Sequence, residues 1–278
     1  MYNGRKLLIA TKHKKEAMIA PPLAKALQIE SIATDNFDTD KFGTFTGEVE
    51  RKDDAVSTAR NKCWEAMNQY NFDLGIASEG SFAPHPSLFF LNANEETLIF
   101  IDRTNDLEIV ARAISTETNF DGKVIVNEEQ LILFSEMVQF PTHSLILSDA
   151  ERAKTYSVKG IQNWNHLKNT FHQILNKYGS VYIQTDMRAM NNPSRRKVIE
   201  AATHKLIKRI RSCCPECKTA CFEVSHEKEG LPCHKYGLPT RSAISHAYKC
   251  KKCEFSNEER YPHKKTTEDP TYCDICNP

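Results

Sequence analysis

Nine of the ten cysteines follow Ser212, and most of them come in pairs. Cys250 and Cys253 form one Cys-x-x-Cys unit, Cys273 and Cys276 another, with 19 residues between the units. Such a turn offers two thiolates to one ion, and two turns complete the tetrahedral sulfur shell that Zn²⁺ favours. Sequence proximity assigns one zinc to Cys250, Cys253, Cys273 and Cys276, with a hairpin returning the second pair to the first. Four sulfurs close the coordination sphere, so this zinc is expected to be structural. Cys214 and Cys217 make a third unit. Its partner should lie in "LPCHKYGLPT", which offers Cys233 and His234 but has Tyr236 where a second thiol would fall. A second zinc would take Cys214, Cys217, Cys233 and His234; a degenerate site without metal is the alternative. With no export signal in view, clustered pairs read as metal ligands rather than as disulfides. A zinc ribbon of this kind can bind nucleic acid, bind protein, or staple a module too small to build a core.

A second group of reactive residues lies near the N-terminus. "GIASEGSFAPHP" carries Glu79 and His85, with Gly75 and Gly80 around the carboxylate and Pro84 and Pro86 around the imidazole. A carboxylate ending an apolar strand needs a partner or water. "ATKHKKE" supplies Lys12, His13, Lys14 and Lys15, and "GEVERKDD" supplies Glu48, Arg51 and Asp53. In open α/β sheets, ligands bind at the carboxyl ends of the strands. Glu48, Asp53 and Glu79 there would hold Mg²⁺ or orient water. Lys12, His13, Lys15 and Arg51 would neutralise phosphate, with Arg188 of "TDMRAMNNPSRRK" as a further phosphate ligand, and His85 would move a proton.

The elements needed to position these groups follow from periodicity. Strands are expected over Lys6–Ala10, Ile29–Thr34 and Asp73–Ser78, and a helix over Asp53–Tyr70 with Ala55, Ala59, Cys63 and Met67 four apart. A helix over Lys15–Leu27 should be interrupted by Pro21 and Pro22. "SLFFLNA", "ETLIFIDR" and "LEIVARAIS" suggest an antiparallel meander with turns at "NANEE" and "RTND". A helix over 160–178, a strand over 180–186 and a helix opening at Pro193 complete the pattern. The fold class is therefore α/β, a mixed sheet with flanking helices plus a small C-terminal zinc-ribbon module. The expected divisions are 1–158 for a phosphate- and metal-binding domain, 159–212 for an extension packed on it, and 213–278 for the ribbon.

The order of the N-terminal motifs resembles the inosine/xanthosine triphosphate pyrophosphatase and Maf-like superfamily over roughly residues 5–150. The likeness lies in "ATKHKK" after strand one, the acidic–small–Ala pattern of "DDAVSTAR", and the acidic–Gly step of "GIASEGS" before a meander. His13 stands where that superfamily usually has Asn, and Glu16 near where a second Lys would be. The chain as a whole also resembles a bacterial family defined as a domain of unknown function with a C-terminal zinc ribbon. In that family the segment matching "CHKYG" usually has a Cys where Tyr236 sits. The first resemblance implies an ITPase-like sheet and a Mg²⁺-dependent hydrolase of a phosphorylated substrate, a nucleoside triphosphate in the superfamily.

A competing reading is a non-enzymatic adaptor. Arg195, Arg196, Lys197, Lys205, Lys208 and Arg209 concentrate positive charge beside the cysteines, with Glu200 the only acid among them, and Tyr248, Phe255, Tyr261 and Tyr272 offer stacking surfaces. Basic side chains beside aromatics suit RNA or single-stranded DNA. The net charge of +1 over 278 residues supplies no global bias toward polyanions. No run is apolar enough to span a bilayer and no secretory signal is visible, which points to a cytoplasmic protein without a membrane partner.

Overall fold

The computed structural model describes residues 2–34, 37–43, 53–151 and 155–277. The chain divides into a unit spanning Met1–Ile207 and a second spanning Lys208–Pro278.

The first unit contains two sheets. In the five-stranded sheet, β1 (Lys6–Ala10), β2 (Glu30–Ala33), β3 (Leu74–Pro84), β4 (Asn92–Asp102) and β5 (Leu107–Ser115) lie in the order β2-β1-β3-β4-β5. β1 pairs in parallel with β2 and β3, while β3, β4 and β5 form an antiparallel meander. The expected mixed sheet is present. Helix α1 (Glu16–Leu27) crosses from β1 to β2 and α2 (Ala55–Tyr70) leads into β3. α2 is capped by Asp54, whose carboxylate accepts from the amides of Val56 and Ser57. Its face of Ala59, Cys63, Ala66 and Met67 packs on Leu8, Ala10, Ala77, Ile99 and Ile101.

Pro21 and Pro22 lie inside α1 without breaking it. Each removes one helical N–H donor, and burial of Met18, Ile19 and Leu23 offsets the loss. The meander also differs from its expected bounds. "NANEE" is the start of β4 rather than a turn, because Ala93 to Asp102 pair residue by residue with Leu74 to Ala83. The turn is instead "HPSLFFL", where Phe89 and Phe90 are exposed.

The second sheet, β6-β9-β7-β8, is antiparallel throughout: β6 (Gly122–Ile125), β7 (Leu145–Ser148), β8 (Ser157–Ile161) and β9 (Val181–Thr185). α3 (Glu128–Met137) and α4 (Trp164–Tyr178) close a core of Leu131, Phe134, Leu145, Leu147, Leu167, Phe171 and Ile183. The expected boundary at 158 falls within β8, so this sheet joins residues assigned to different divisions. α5 (Pro193–Arg211) follows β9 and reaches into the second unit.

The second unit holds β10 (Val224–Glu229), β11 (Ala243–Lys249) and β12 (Ser256–Arg260) in one antiparallel sheet. Every residue of β10 and β12 is exposed. No helix among the described residues is long and apolar enough to cross a membrane.

Candidate metal centres and a buried charge cluster

Seven cysteines of the second unit gather into two clusters. Cys214, Cys217, Cys250 and Cys253 form one, and Cys233, Cys273 and Cys276 the other. Both sets differ from those expected from sequence proximity. Cys250 and Cys253 meet Cys214 and Cys217, whereas Cys273 and Cys276 meet Cys233. The cause is strand register. Val224 pairs with Tyr248, so the chain just before β10 and the chain just after β11 emerge at the same end of the sheet. At the other end Glu229 lies opposite Ala243 and Ser245 opposite Arg260, which brings Cys233 to the segment after β12. Cys233 makes a bridge with Glu268 there. His234 is exposed and is in neither cluster; its amide donates to the Glu268 carbonyl.

The local turns suit metal binding. The Cys214 amide donates to the Thr219 carbonyl at 2.8 Å, and the Lys218 amide to the Cys214 carbonyl at 3.0 Å. Cys250 repeats this with Phe255 and Glu254, and Cys233 with Leu238 and Gly237. Lys218, Gly237 and Glu254 all have positive φ, at 59°, 67° and 60°. Tetrahedral Zn–S bonds of about 2.3 Å put sulfurs about 3.8 Å apart. Cys214 and Cys253 are 3.7 Å apart, Cys217 and Cys250 3.5 Å, and Cys233 and Cys276 3.7 Å. The four-cysteine cluster fits a closed zinc shell, and the three-cysteine cluster supplies three of its four vertices.

The first unit buries charge around β3 and β4. Glu79 lies inside β3 opposite Thr97, not at a strand end, and it is only 8% exposed. Its carboxylate is ion-paired with the buried Lys62 of α2. On the opposite face of the sheet, Lys15 Nζ donates to Ser78 Oγ at 3.0 Å and to both Glu96 oxygens at 3.3 Å. Arg195 of α5 donates to Glu96 Oε1 through Nε at 2.8 Å and Nη2 at 2.5 Å. Gly80 leaves room for this pair, since a Cβ there would meet the Arg195 guanidinium and the Glu96 carboxylate and force them to shift. Burial pushes the Lys15 ammonium down to about 8, against the opposing pull of Glu96. Burial raises the Glu96 carboxyl, but Arg195 and Lys15 more than offset it and hold it below its ordinary value.

The other expected site residues are dispersed. Glu48 and Arg51 lie outside the described residues. Asp53 is exposed and accepts from Asn61 at the start of α2. His85 accepts from the Ser87 and Leu88 amides in the β3–β4 turn. Six residues of extended chain put it about 20 Å from Glu79. Lys12 pairs with Asp38 at 3.5 Å on the surface, and His13 is a half-buried loop residue with φ of 66°. Arg188 is held by Asp186. The basic helix is also partly spoken for. Arg195 is buried, and Arg196 donates to the Ala189 and Met190 carbonyls.

Sequence reading missed Lys62 and Glu96. Lys62 sits in the inward register of α2 beside Ala59, Cys63 and Ala66. Glu96 alternates with Asn94, Leu98 and Phe100 on one face of β4. An ionisable residue in a buried register was the available signal in both cases.

A family model described as a domain of unknown function, DUF6671, matches residues 62–278. The chain belongs to the DUF6671 family. The DUF6671 match takes in Lys62, Glu79, Glu96, Arg195 and all seven clustered cysteines, and it begins after Lys15 and the "ATKHKK" motif. No curated protein matches the chain, and the pyrophosphatase resemblance gains no support from these comparisons.

Proposed function

We propose that this DUF6671 protein is a zinc-stapled binding protein whose first unit takes a phosphorylated small molecule, a nucleotide being the leading class, at the carboxyl edge of β1 and β3. The observation that carries the reading is the charge balance of the buried cluster. Among the described residues, two buried cations, Lys15 and Arg195, meet one buried carboxylate, Glu96, on one face of the sheet, while Lys62 and Glu79 pair one to one on the other. Excess buried positive charge is costly without an anion. Lys15 follows the β1–α1 loop, in which His13 and Lys14 have consecutive positive φ values of 66° and 60°. Non-glycine residues held in this conformation cost about 1–3 kcal/mol each, and such strain clusters at ligand-binding sites.

Mg²⁺ is not part of this reading. Each buried carboxylate of the cluster is already matched by Lys or Arg, and a divalent ion would have to displace them. The nucleic-acid reading is weakened in the same way, since Arg195 and Arg196 make internal contacts. Two zinc ions are proposed for the cysteine clusters, the one at Cys214, Cys217, Cys250 and Cys253 being structural.

The test is thermal unfolding of the zinc-loaded chain against phosphate, pyrophosphate and a nucleotide panel. A ligand at 100 times its Kd stabilises the fold by about 2.7 kcal/mol. The expected result is a rise in Tm with at least one phosphorylated compound that Lys15→Met abolishes. No rise with any of them overturns the proposal. Following phosphate and pyrophosphate release in the same panel separates a binding protein from a hydrolase.

A further inference from the structure

The three turns at Cys214, Cys233 and Cys250 share one backbone design, yet only two of them carry a second cysteine. Each has a Cys whose amide and carbonyl close the turn, and each places a residue three positions later where the second ligand belongs. That residue is Cys217 in the first turn and Cys253 in the third, and both join the four-sulfur cluster. In the middle turn it is Tyr236. The turn is intact around it: Cys233 and Leu238 bond at 2.7 Å, Gly237 and Cys233 at 2.8 Å.

Tyr236 does not replace the missing sulfur. Its side chain is largely exposed, and Lys235 Nζ lies 5.0 Å from its ring centroid. A phenol oxygen at the far end of a ring overshoots a vertex that a sulfur one bond beyond Cβ would occupy. Among the described residues, no Cys, His, Asp or Glu beyond Cys233, Cys273 and Cys276 brings a donor atom into the cluster. Cys233 and Cys273 are buried, and Cys276 is half-buried.

We propose that Cys233, Cys273 and Cys276 hold a zinc ion whose fourth vertex, on the Tyr236 side, is open to an exchangeable ligand from solution. Water occupies it at rest, and a low-molecular-weight thiol displaces the water as thiolate, its proton passing to solvent. Three protein ligands plus an exchangeable position is the arrangement of zinc sites that do chemistry, whereas four sulfurs make a closed one. Soft thiolate surroundings favour a further thiolate at the vacant vertex over a hard oxygen donor. The two ions of one module are thereby divided into a closed site and an accessible one. This inference rests on the metal-binding reading of the cysteine clusters and is independent of the ligand proposed for the first unit.

Cobalt substitution tests it on the full chain. Co²⁺ bound by thiolates shows a sulfur-to-cobalt charge-transfer band whose intensity scales with the number of sulfurs. The expected stoichiometry is two cobalt ions per chain. Adding 2-mercaptoethanol without oxygen should raise the band by one sulfur's contribution and saturate at one thiol per chain. Tyr236→Cys should show the higher intensity without added thiol and lose the response. Tyr236→Phe should match the wild type in both respects, and Cys214→Ser should keep the response while losing intensity from the other ion. Tyr236 is exposed, so neither change at that position disturbs a core. A single bound cobalt, no thiol response, or a spectrum altered by Tyr236→Phe would each overturn the proposal, the last by showing the phenol oxygen to be the ligand.

Discussion

The two units hold themselves together by different means. The first packs apolar side chains on two sheets and buries charge beside opposite charge, as with Glu96 between Lys15 and Arg195. The second has two of its three strands exposed along their whole length. Its buried residues are few, and Cys214, Cys233, Cys250 and Cys273 are prominent among them. A segment that cannot bury enough apolar surface to offset its chain entropy needs cross-links. In one unit burial is the source of stability and charge is tolerated. In the other, two cysteine clusters placed to hold metal ions stand where burial is lacking.

Metal removal should divide the units most sharply. Structural zinc contributes about 10–16 kcal/mol to the folding of small zinc modules. Chelation under reducing conditions is expected to unfold β10–β12 while β1–β5 stay folded. Hydrogen exchange checks this, and loss of protection in β1–β5 would break the contrast. Next is Glu96→Ala, which strands two buried cations. Breaking a buried pair from one side costs about 3–5 kcal/mol. Denaturant unfolding should show that loss in the first unit, with cobalt or zinc binding unchanged.

Lys15 gives a smaller effect with a definite sign. Its folded value of about 8 lies below that of an unfolded lysine. Between the two values the unfolded chain binds the extra proton, so this group makes stability rise with pH, by at most about 1.4 kcal/mol per unit. Wild type should therefore gain on Lys15→Met from pH 8 to pH 10, and parallel curves would show that Lys15 is not buried as described. Smallest is Asn163→Ala, which removes the cap accepting from the His166 amide at 2.8 Å. It should cost the first unit about 1 kcal/mol and leave the metal-dependent transition where it was.

Much of the architecture was legible because periodicity and burial agreed. β1, α2, the core of β3, β5 and α5 all follow their apolar patterns. "NANEE" misled because Asn and Glu resemble turn residues, although Ala93, Asn94 and Glu96 are buried. The stretch from β6 to β8 was not read, since its strands are short and their partners distant in sequence. At the cysteines, residue type was legible but grouping was not. Spacing along the chain favours neighbours, whereas strand register joined Cys250 to Cys214 across 36 positions. The charge cluster was half legible. Lys15 and Glu79 were singled out, but their partners Lys62 and Glu96 sit in registers read as apolar or as loop.

The alternation of the cysteine turns also sets an order of assembly. All four ligands of the closed site have been synthesised once the ribosome passes Cys253, whereas the three-sulfur site must wait for Cys276. If the clusters take zinc as proposed, the first ion can lock β10 against β11 during translation, before Cys276 has left the exit tunnel. The nascent module then presents Cys233 as an unsatisfied thiol on a framework already closed at its other end. Cys273 and Cys276 arrive as the final latch.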